Sequence, residues 1–180
     1  TIRYKKAIGG VMISASHNPA SDNGIKVYWA HGGQVVPPHD ANIIKKVAGV
    51  RKINLESFAE GLKSEKIVML DESADRAYAE TVSNLSLGNY RDVHVVFTPL
   101  HGCASTSFLP VLRRVGFKQI DEVKEQMSLD PDFTNVTKQI PNPEVPISLD
   151  KATAQAKKSG ADLVLASDPD ADRIGVVSRE

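Results

Sequence analysis

The sequence predicts an α/β fold with mixed, largely parallel sheets flanked by helices. Three observations favour this class. Short apolar runs that suit buried strands recur along the chain, amphipathic segments with helical spacing lie between them, and strand, helix and strand follow one another in that order. A chain of 180 residues can form one domain or two small ones, and we expect a domain boundary near residue 70.

Before that boundary the sequence predicts a buried strand, a β-hairpin, a helix and a connector, over residues 10–14, 25–36, 39–50 and 51–70 respectively. The hairpin prediction depends on Gly32-Gly33, because glycine adopts the positive φ angles that tight turns require. The helix prediction depends on Ile43, Ile44 and Val47, which fall on one helical face directly after Pro37-Pro38.

After the boundary, strands and helices are expected to alternate. The strands are predicted over 93–98, 118–123, 162–167 and 174–178, and the helices over 74–85, 107–115 and 149–159. Pro110 is expected in the first turn of its helix, where a missing N–H leaves no bond unmade. Ser148 is a candidate cap at the start of the last helix, and Gly160 is typical of its end. The proline-rich segment 128–146 predicts an extended loop.

Net charge and cysteine content limit the expected partners and compartment. The 22 basic and 22 acidic side chains cancel, so we expect neither nucleic acid nor a membrane as a partner. No apolar stretch approaches the roughly 18 residues that cross a bilayer. Cys103 cannot form an internal disulfide, and the cytoplasm is the expected location. Because the chain opens without methionine, we expect that sequence upstream of Thr1 is missing.

Three carboxylates follow the apolar run that ends at residue 167. Asp168, Asp170 and Asp172 alternate along the chain, so a loop can turn all of them toward one point, and a hard cation binds such oxygens. A solvated acidic turn remains an alternative. A calcium EF-hand does not, because its loop needs glycine and glutamate at the positions of Arg173 and Arg179.

A second polar segment, residues 14–19, follows another predicted strand, where active-site residues of open α/β sheets gather. Its Ser16 is a candidate nucleophile or phosphoryl carrier, although serine, asparagine and proline are also ordinary turn residues. A Ser-His-Asp hydrolase is a weak alternative. Adjacent Ser16 and His17 on an extended segment are expected to point apart, and the sequence has no Gly-x-Ser-x-Gly elbow.

In this order, segments 14–19 and 168–173 resemble those of the α-D-phosphohexomutases, the phosphoglucomutase and phosphomannomutase superfamily. The family usually has threonine at the position of Ser14 and glycine at those of Pro169 and Ala171. These differences resemble the branch that contains phosphopentomutase-like and type-2 phosphoglucomutases. Two further segments match the family, namely residues 23–26 and 98–102.

The resemblance implies a phosphosugar mutase. Ser16 would carry a phosphoryl group, transfer it to a sugar monophosphate and recover one from the sugar 1,6-bisphosphate intermediate, with Mg²⁺ as the metal and Lys26 as general base. The implied catalytic residues are Ser16, Lys26, His17 and His101, the implied phosphate-binding residues are Arg173 and Asn18, and the implied metal ligands are Ser16, Asp168, Asp170 and Asp172.

The resemblance also implies parts of two phosphohexomutase-type domains. Residues 1–70 would be the C-terminal part of domain 1, and residues 71–180 would be domain 2. We expect domains 3 and 4, which bind the sugar and its distal phosphate in the family, to be absent. The chain alone is therefore expected to turn over poorly or not at all.

Two other functions remain open on the sequence. In an aspartate-based phosphatase or phosphotransferase, Asp168 would be phosphorylated and Asp170 would act as acid and base, but Asp172, Arg173 and the segment around Ser16 would go unexplained. A non-catalytic module that binds a metal or a phosphosugar is the third possibility, and nothing in the sequence requires it.

Overall fold

A computed structural model describes residues 1–179, which divide into two compact units. Unit 1 comprises Thr1–Met12 and Lys26–Ala77, and unit 2 comprises Ile13–Ile25 and residues 78–179. Within the described residues, no helix is long and apolar enough to cross a membrane. By this division into units, the segment that contains Ser16 belongs to unit 2, as does the acidic loop formed by residues 168–173.

Unit 1 is built from short helices and a two-stranded sheet. Its elements, some of which extend into unit 2, are α1 Ile2–Lys5, β1 Gly9–Ile13, β2 Ile25–Trp29, α2 His39–Ala48, α3 Phe58–Lys63 and α4 Ser73–Ser83. The N–H of Trp29 donates to the carbonyl oxygen of Gly33 at 2.9 Å, and Gly32 has a φ of +87°. Tyr28 and Gln34 form an antiparallel bridge, so the predicted hairpin is confirmed.

Two features of this region differ from the prediction. β1 is not buried, since Val11 is 67% exposed and Ile13 is 61% exposed. A two-stranded sheet buries a face only where another layer covers it. The predicted connector contains α3, which begins with a capping box. Ser57 Oγ accepts from the N–H of Glu60, and the Glu60 carboxylate accepts from the N–H of Ser57.

Unit 2 contains a four-stranded sheet with the strand order β4-β3-β5-β6. Its elements are β3 Val95–Thr98, α5 Ala104–Arg114, β4 Ile120–Glu122, α6 Asp150–Ser159, β5 Leu163–Ser167 and β6 Ile174–Ser178, with 3₁₀ turns at Lys124–Gln126, Thr137–Gln139 and Pro146–Leu149. β4 and β5 each pair parallel with β3, and β6 pairs antiparallel with β5. The predicted α/β class, with a mixed and largely parallel sheet flanked by helices, is confirmed.

The unit 2 sheet is covered on both faces. Val96 of β3 and Val164 of β5 share a cluster with Ala156 of α6, whereas Phe97 packs with Leu109 of α5. Because successive side chains of a strand point to opposite faces, α5 and α6 lie on opposite sides of the sheet. This packing fixes the strand ends from which the candidate site loops emerge.

Two details of these helices correct the prediction. α5 begins at Ala104, so Pro110 lies inside the helix and not in its first turn. Ser148 does not cap α6, because its hydroxyl is buried and donates to the carbonyl oxygen of Ile140 at 2.6 Å. Gly160 ends α6 with a φ of +74°, as predicted.

Candidate active site

The candidate site lies at the carboxyl edge of the unit 2 sheet. β3 and β5 are parallel neighbours, so the loops that follow Thr98 and Ser167 leave the sheet at the same edge. A Cβ on Gly102 would lie 2.3 Å from Cα of Pro169, closer than real atoms approach. The N–H of Cys103 donates to the carbonyl oxygen of Pro169 at 2.9 Å. The two loops are therefore in direct contact, and glycine is required at position 102.

The acidic loop folds around the carboxylate of Asp168, which is fully buried. Its Oδ1 accepts from the N–H groups of Asp172 and Arg173, at 3.1 and 2.9 Å respectively. Ala171 has a φ of +60°, and its N–H donates to the carbonyl oxygen of Asp168 at 3.0 Å. These bonds turn the chain back over Asp168, as the alternating pattern of aspartates predicts.

This turn brings one carboxylate oxygen each from Asp168, Asp170 and Asp172 within 4.8 Å of one another. The three differ in exposure: Asp168 is buried, Asp170 is half-buried and Asp172 is exposed. A set made only of carboxylate oxygens suits a hard divalent cation, which takes oxygen ligands. The residues present therefore fit a hard divalent cation such as Mg²⁺.

Burial raises the pKa of the Asp168 carboxyl above its ordinary value, and the neighbouring Asp170 carboxylate raises it further. The bonds from Ser16 and from the backbone N–H of Arg173 act in the opposite direction and do not outweigh burial. The loop thus concentrates negative charge at a buried position. A bound cation would relieve this repulsion.

Ser16 lies against the acidic loop. Its hydroxyl donates to Oδ2 of Asp168 at 2.7 Å, and its backbone has a φ of +55°, in the left-handed region. Ser14 makes a second connection, because its hydroxyl donates to Oδ2 of Asp170 at 2.7 Å and accepts from the N–H of Ser16 at 2.9 Å. The serine segment and the aspartate segment therefore form one hydrogen-bonded centre.

The expectation that Ser16 and His17 point apart is wrong. Ser16 Oγ and His17 Nδ1 lie 3.1 Å apart, because the left-handed backbone at Ser16 turns the two side chains together. The arrangement still differs from a Ser-His-Asp triad, in which the aspartate bonds to the histidine. Here Asp168 bonds directly to the serine hydroxyl.

Comparisons with known proteins identify the family of this chain. Residues 65–180 match the family model described as phosphoglucomutase/phosphomannomutase, alpha/beta/alpha domain II, and residues 1–54 match that of alpha/beta/alpha domain I. The chain belongs to the phosphoglucomutase/phosphomannomutase family. It is 35% identical over 178 residues to a probable phosphomannomutase of Haemophilus influenzae, covering 97% of this chain and 36% of that protein.

Two other family members illustrate the range of the resemblance. The human glucose 1,6-bisphosphate synthase is 37% identical over 180 residues, which cover 96% of this chain and 29% of that protein. The crystal structure of a putative phosphomannomutase from Thermus thermophilus has a TM-score of 0.76 at 27% identity, over 98% of this chain and 38% of that one. The chain spans about a third of the length of the curated relatives it matches.

Among the remaining family-predicted residues, Arg173 and Asn18 both have protein partners. The Arg173 guanidinium pairs with the carboxylate of Glu144 at 2.9 Å, and both side chains are partly exposed. Asn18 donates from its side chain to Asp22 at 3.1 Å and from its N–H to the carbonyl oxygen of Ala15 at 3.1 Å. These bonds agree with the role of Asn18 as a turn residue, and phosphate binding by either side chain stays a prediction.

His101 is buried, and both of its ring nitrogens have backbone partners. Nδ1 lies 2.7 Å from the carbonyl oxygen of Ser128, so it carries a proton and donates, while Nε2 accepts from the N–H of Asn135 at 3.3 Å. In this arrangement neither nitrogen is available to a phosphoryl oxygen. The structure thus places His101 where it holds the segment 128–135 against the loop after β3.

Lys26 lies in β2 and belongs to unit 1, whereas the serine and aspartate segments belong to unit 2. Its role as general base therefore stays a prediction.

The sequence pattern assigns no role to three residues of the site. Ser14 stands out only as a replacement of threonine, Gly102 only as part of a matching segment, and Glu144 not at all. A glycine in the loop directly after a predicted strand could have indicated a close backbone approach. No periodic pattern signals the pairing of Glu144 with Arg173, because 29 positions separate them.

Proposed function

We propose that this chain forms the phosphoserine and metal-binding part of a phosphosugar mutase. The observation that carries the proposal is the hydrogen bond from Ser16 to Asp168, which joins the candidate phosphoryl carrier to the candidate metal loop. Neither an acidic turn nor a serine turn alone explains why segments separated by 152 positions meet in this way.

In this proposal Asp168, Asp170 and Asp172 hold Mg²⁺ together with an oxygen of phosphorylated Ser16. When bound, the cation neutralises charge on the phosphoryl oxygens, which is the main requirement of phosphoryl transfer. Asp168 positions Ser16 Oγ in the unphosphorylated enzyme by accepting a hydrogen bond from the serine hydroxyl. Arg173 binds a phosphoryl oxygen after exchanging its partner Glu144 for it.

Phosphoryl transfer exchanges one bond to phosphorus for another. A hydroxyl oxygen of a sugar monophosphate forms a bond to phosphorus while the bond between phosphorus and Ser16 Oγ breaks, and Lys26 takes the hydroxyl proton. The sugar bisphosphate then turns over and returns its other phosphoryl group to Ser16. His17, 3.1 Å from Ser16 Oγ, is placed to donate to that oxygen or to the phosphoryl group it carries.

The substrate class is a sugar monophosphate, with a sugar 1,6-bisphosphate as intermediate. This choice is supported by the family and by the resemblance to a glucose 1,6-bisphosphate synthase. We further propose that residues 1–70 and 71–180 are parts of domains 1 and 2, and the order of the two family matches, over 1–54 and 65–180, supports this. A cytoplasmic location remains part of the proposal.

Mass spectrometry of the Ser16 peptide tests the proposal. The 180-residue chain is incubated with glucose 1,6-bisphosphate and Mg²⁺, and one added phosphate is expected on Ser16, removable by glucose 1-phosphate. Ser16→Ala should abolish the labelling. Phosphate that persists in Ser16→Ala and disappears in Asp168→Asn would instead favour an aspartate-based phosphatase, and bound Mg²⁺ without phosphate on either residue would favour a binding module.

A further inference from the structure

The hydroxyl of Ser14 makes two hydrogen bonds that the proposed reaction does not use. It donates to Oδ2 of Asp170 at 2.7 Å and accepts from the N–H of Ser16 at 2.9 Å. Its own backbone N–H donates to the carbonyl oxygen of Gly24 at 3.0 Å. A Cβ on Gly24 would lie 2.7 Å from the carbonyl oxygen of Ser14, so the backbone at Ser14 and the backbone at Gly24 approach closely.

We propose that Ser14 is a positioning residue that couples the conformation of Ser16 to the metal-binding carboxylates. The backbone of Ser16 has a φ of +55°, a conformation that costs energy for a residue with a Cβ and that persists only where its surroundings hold it. The bond from the Ser16 N–H to Ser14 Oγ is such a restraint.

The second hydrogen bond of Ser14, to Asp170, restrains a candidate metal ligand. Hydrogen bonds to a coordinating carboxylate fix its orientation, and removal of such a partner typically lowers metal affinity about 10-fold or more. Ser14 holds Asp170 in this way, while Ser16 holds Asp168. One hydroxyl therefore orients both a candidate ligand and the backbone of the candidate phosphoryl carrier.

This inference rests on the proposed function, because it takes the three aspartates as the metal ligands. It predicts that the requirement at position 14 is a hydroxyl on Cβ and not a particular size. Threonine keeps that hydroxyl, and valine has the shape of threonine without it. The pair Ser14→Thr and Ser14→Val thus changes the hydrogen bonds while holding the added volume constant.

The test is a titration of the full chain with Mn²⁺, in which electron paramagnetic resonance measures the concentration of the free ion. We expect Ser14→Thr to bind within about threefold of the wild type, and Ser14→Val to bind about 10-fold more weakly or worse. Equal binding by the valine and threonine variants would overturn the inference. Wild-type protein that binds no Mn²⁺ would overturn the metal site itself, and the inference with it.

A second measurement reports on the backbone and does not depend on the valine variant folding. Hydrogen exchange at the Ser16 amide, measured by NMR, should accelerate about 10-fold in Ser14→Ala and stay unchanged in Ser14→Thr, because the Ser14 hydroxyl accepts the hydrogen bond of that N–H. The amide of Asn18, bonded to the carbonyl oxygen of Ala15, is the internal control. An unchanged Ser16 amide in Ser14→Ala would contradict the proposed restraint.

Discussion

Unit 1 and unit 2 differ in the apolar surface that they bury. Within the described residues, the buried apolar side chains of unit 1 are Val35 and Ala74, and all the others lie in unit 2. Unit 1 also leaves Val11 and Ile44 each 67% exposed, although both belong to regular elements. Since burial of apolar surface is the main favourable contribution to folding, unit 2 should hold most of the stability of the chain.

The candidate site follows the same division. Its serine and aspartate segments both belong to unit 2, and the aspartate segment follows β5, a strand of the sheet that is packed on two faces. A site on rigid strand ends keeps its geometry better than one on mobile loops. The comparison therefore predicts that changes in unit 1 leave the serine–aspartate centre intact, whereas changes in the core of unit 2 destroy it.

The largest expected effect comes from a matched pair of phenylalanines. Phe97 of β3 is fully buried, and Phe58 of α3 is 59% exposed. Phe97→Ala should lower the free energy of unfolding of unit 2 by about 3–5 kcal/mol, because it removes apolar burial and leaves a cavity. Phe58→Ala should change it by no more than about 0.5 kcal/mol.

Urea unfolding with two probes separates the units. The single tryptophan, Trp29, lies in unit 1, and hydrogen exchange at β3 and β5 reports on unit 2. Exchange at β3 and β5 should accelerate in Phe97→Ala alone. Similar losses in the free energy of unfolding from both substitutions would show that the two units unfold as one cooperative unit. That result would contradict the difference in stability inferred from burial.

Asp168 provides an intermediate effect. In the metal-free protein its folded pKa is raised above the ordinary value of 3.8, mainly by burial, so ionisation disfavours the folded state. That cost develops as pH rises from 3.8 through the folded pKa, and it is absent below 3.8. Asp168→Asn should therefore stabilise metal-free protein at pH 7 relative to the wild type, and the difference should vanish as pH falls to 3.8.

The control is Asp172→Asn, which alters an exposed carboxylate of the same loop and should have a smaller effect. Urea unfolding is measured at pH 7 with and without Mg²⁺ at a concentration on the order of 10 mM. The ion should stabilise only the wild type, because a ligand stabilises the state that binds it. Asp168→Asn that is less stable than wild-type protein without Mg²⁺ would contradict the assigned cost of burial.

Local pattern was sufficient to predict much of this architecture. The strands of unit 2 and the helices α2, α4 and α6 follow from periodicity, and the turn at Asp168 follows from alternating aspartates after an apolar run. The proximity of Ser16 to Asp168 was expected only through the family resemblance, since 152 positions separate them. Rules based on neighbouring residues do not predict contacts between segments so far apart in the sequence.

The errors have equally specific causes. Ser16 and His17 were expected to diverge because an extended backbone was assumed, and a single φ of +55° reverses that outcome. His101 was assigned to the phosphoryl group by resemblance, and that role stays a prediction; its ring nitrogens bond to Ser128 and Asn135, which no spacing rule connects to it. The contact of Ser16 with His17 is set by the local backbone, whereas the contacts of His101 are tertiary.

The smallest predicted effect concerns Glu144, an exposed residue of unit 2. A substitution there tests whether a change in unit 2 that removes no buried surface leaves its stability unchanged. Glu144 pairs with Arg173 at 2.9 Å and would compete with a phosphoryl oxygen for the guanidinium. Exposed ion pairs contribute about 0.2–1 kcal/mol, so Glu144→Gln should tighten binding of inorganic phosphate about 1.4- to 5-fold, with little change in stability. Glu125→Gln, which removes the same charge from the pair with Lys151, is the control. A ³¹P NMR titration at low salt measures both variants, and equal tightening would assign the effect to net charge and not to Arg173.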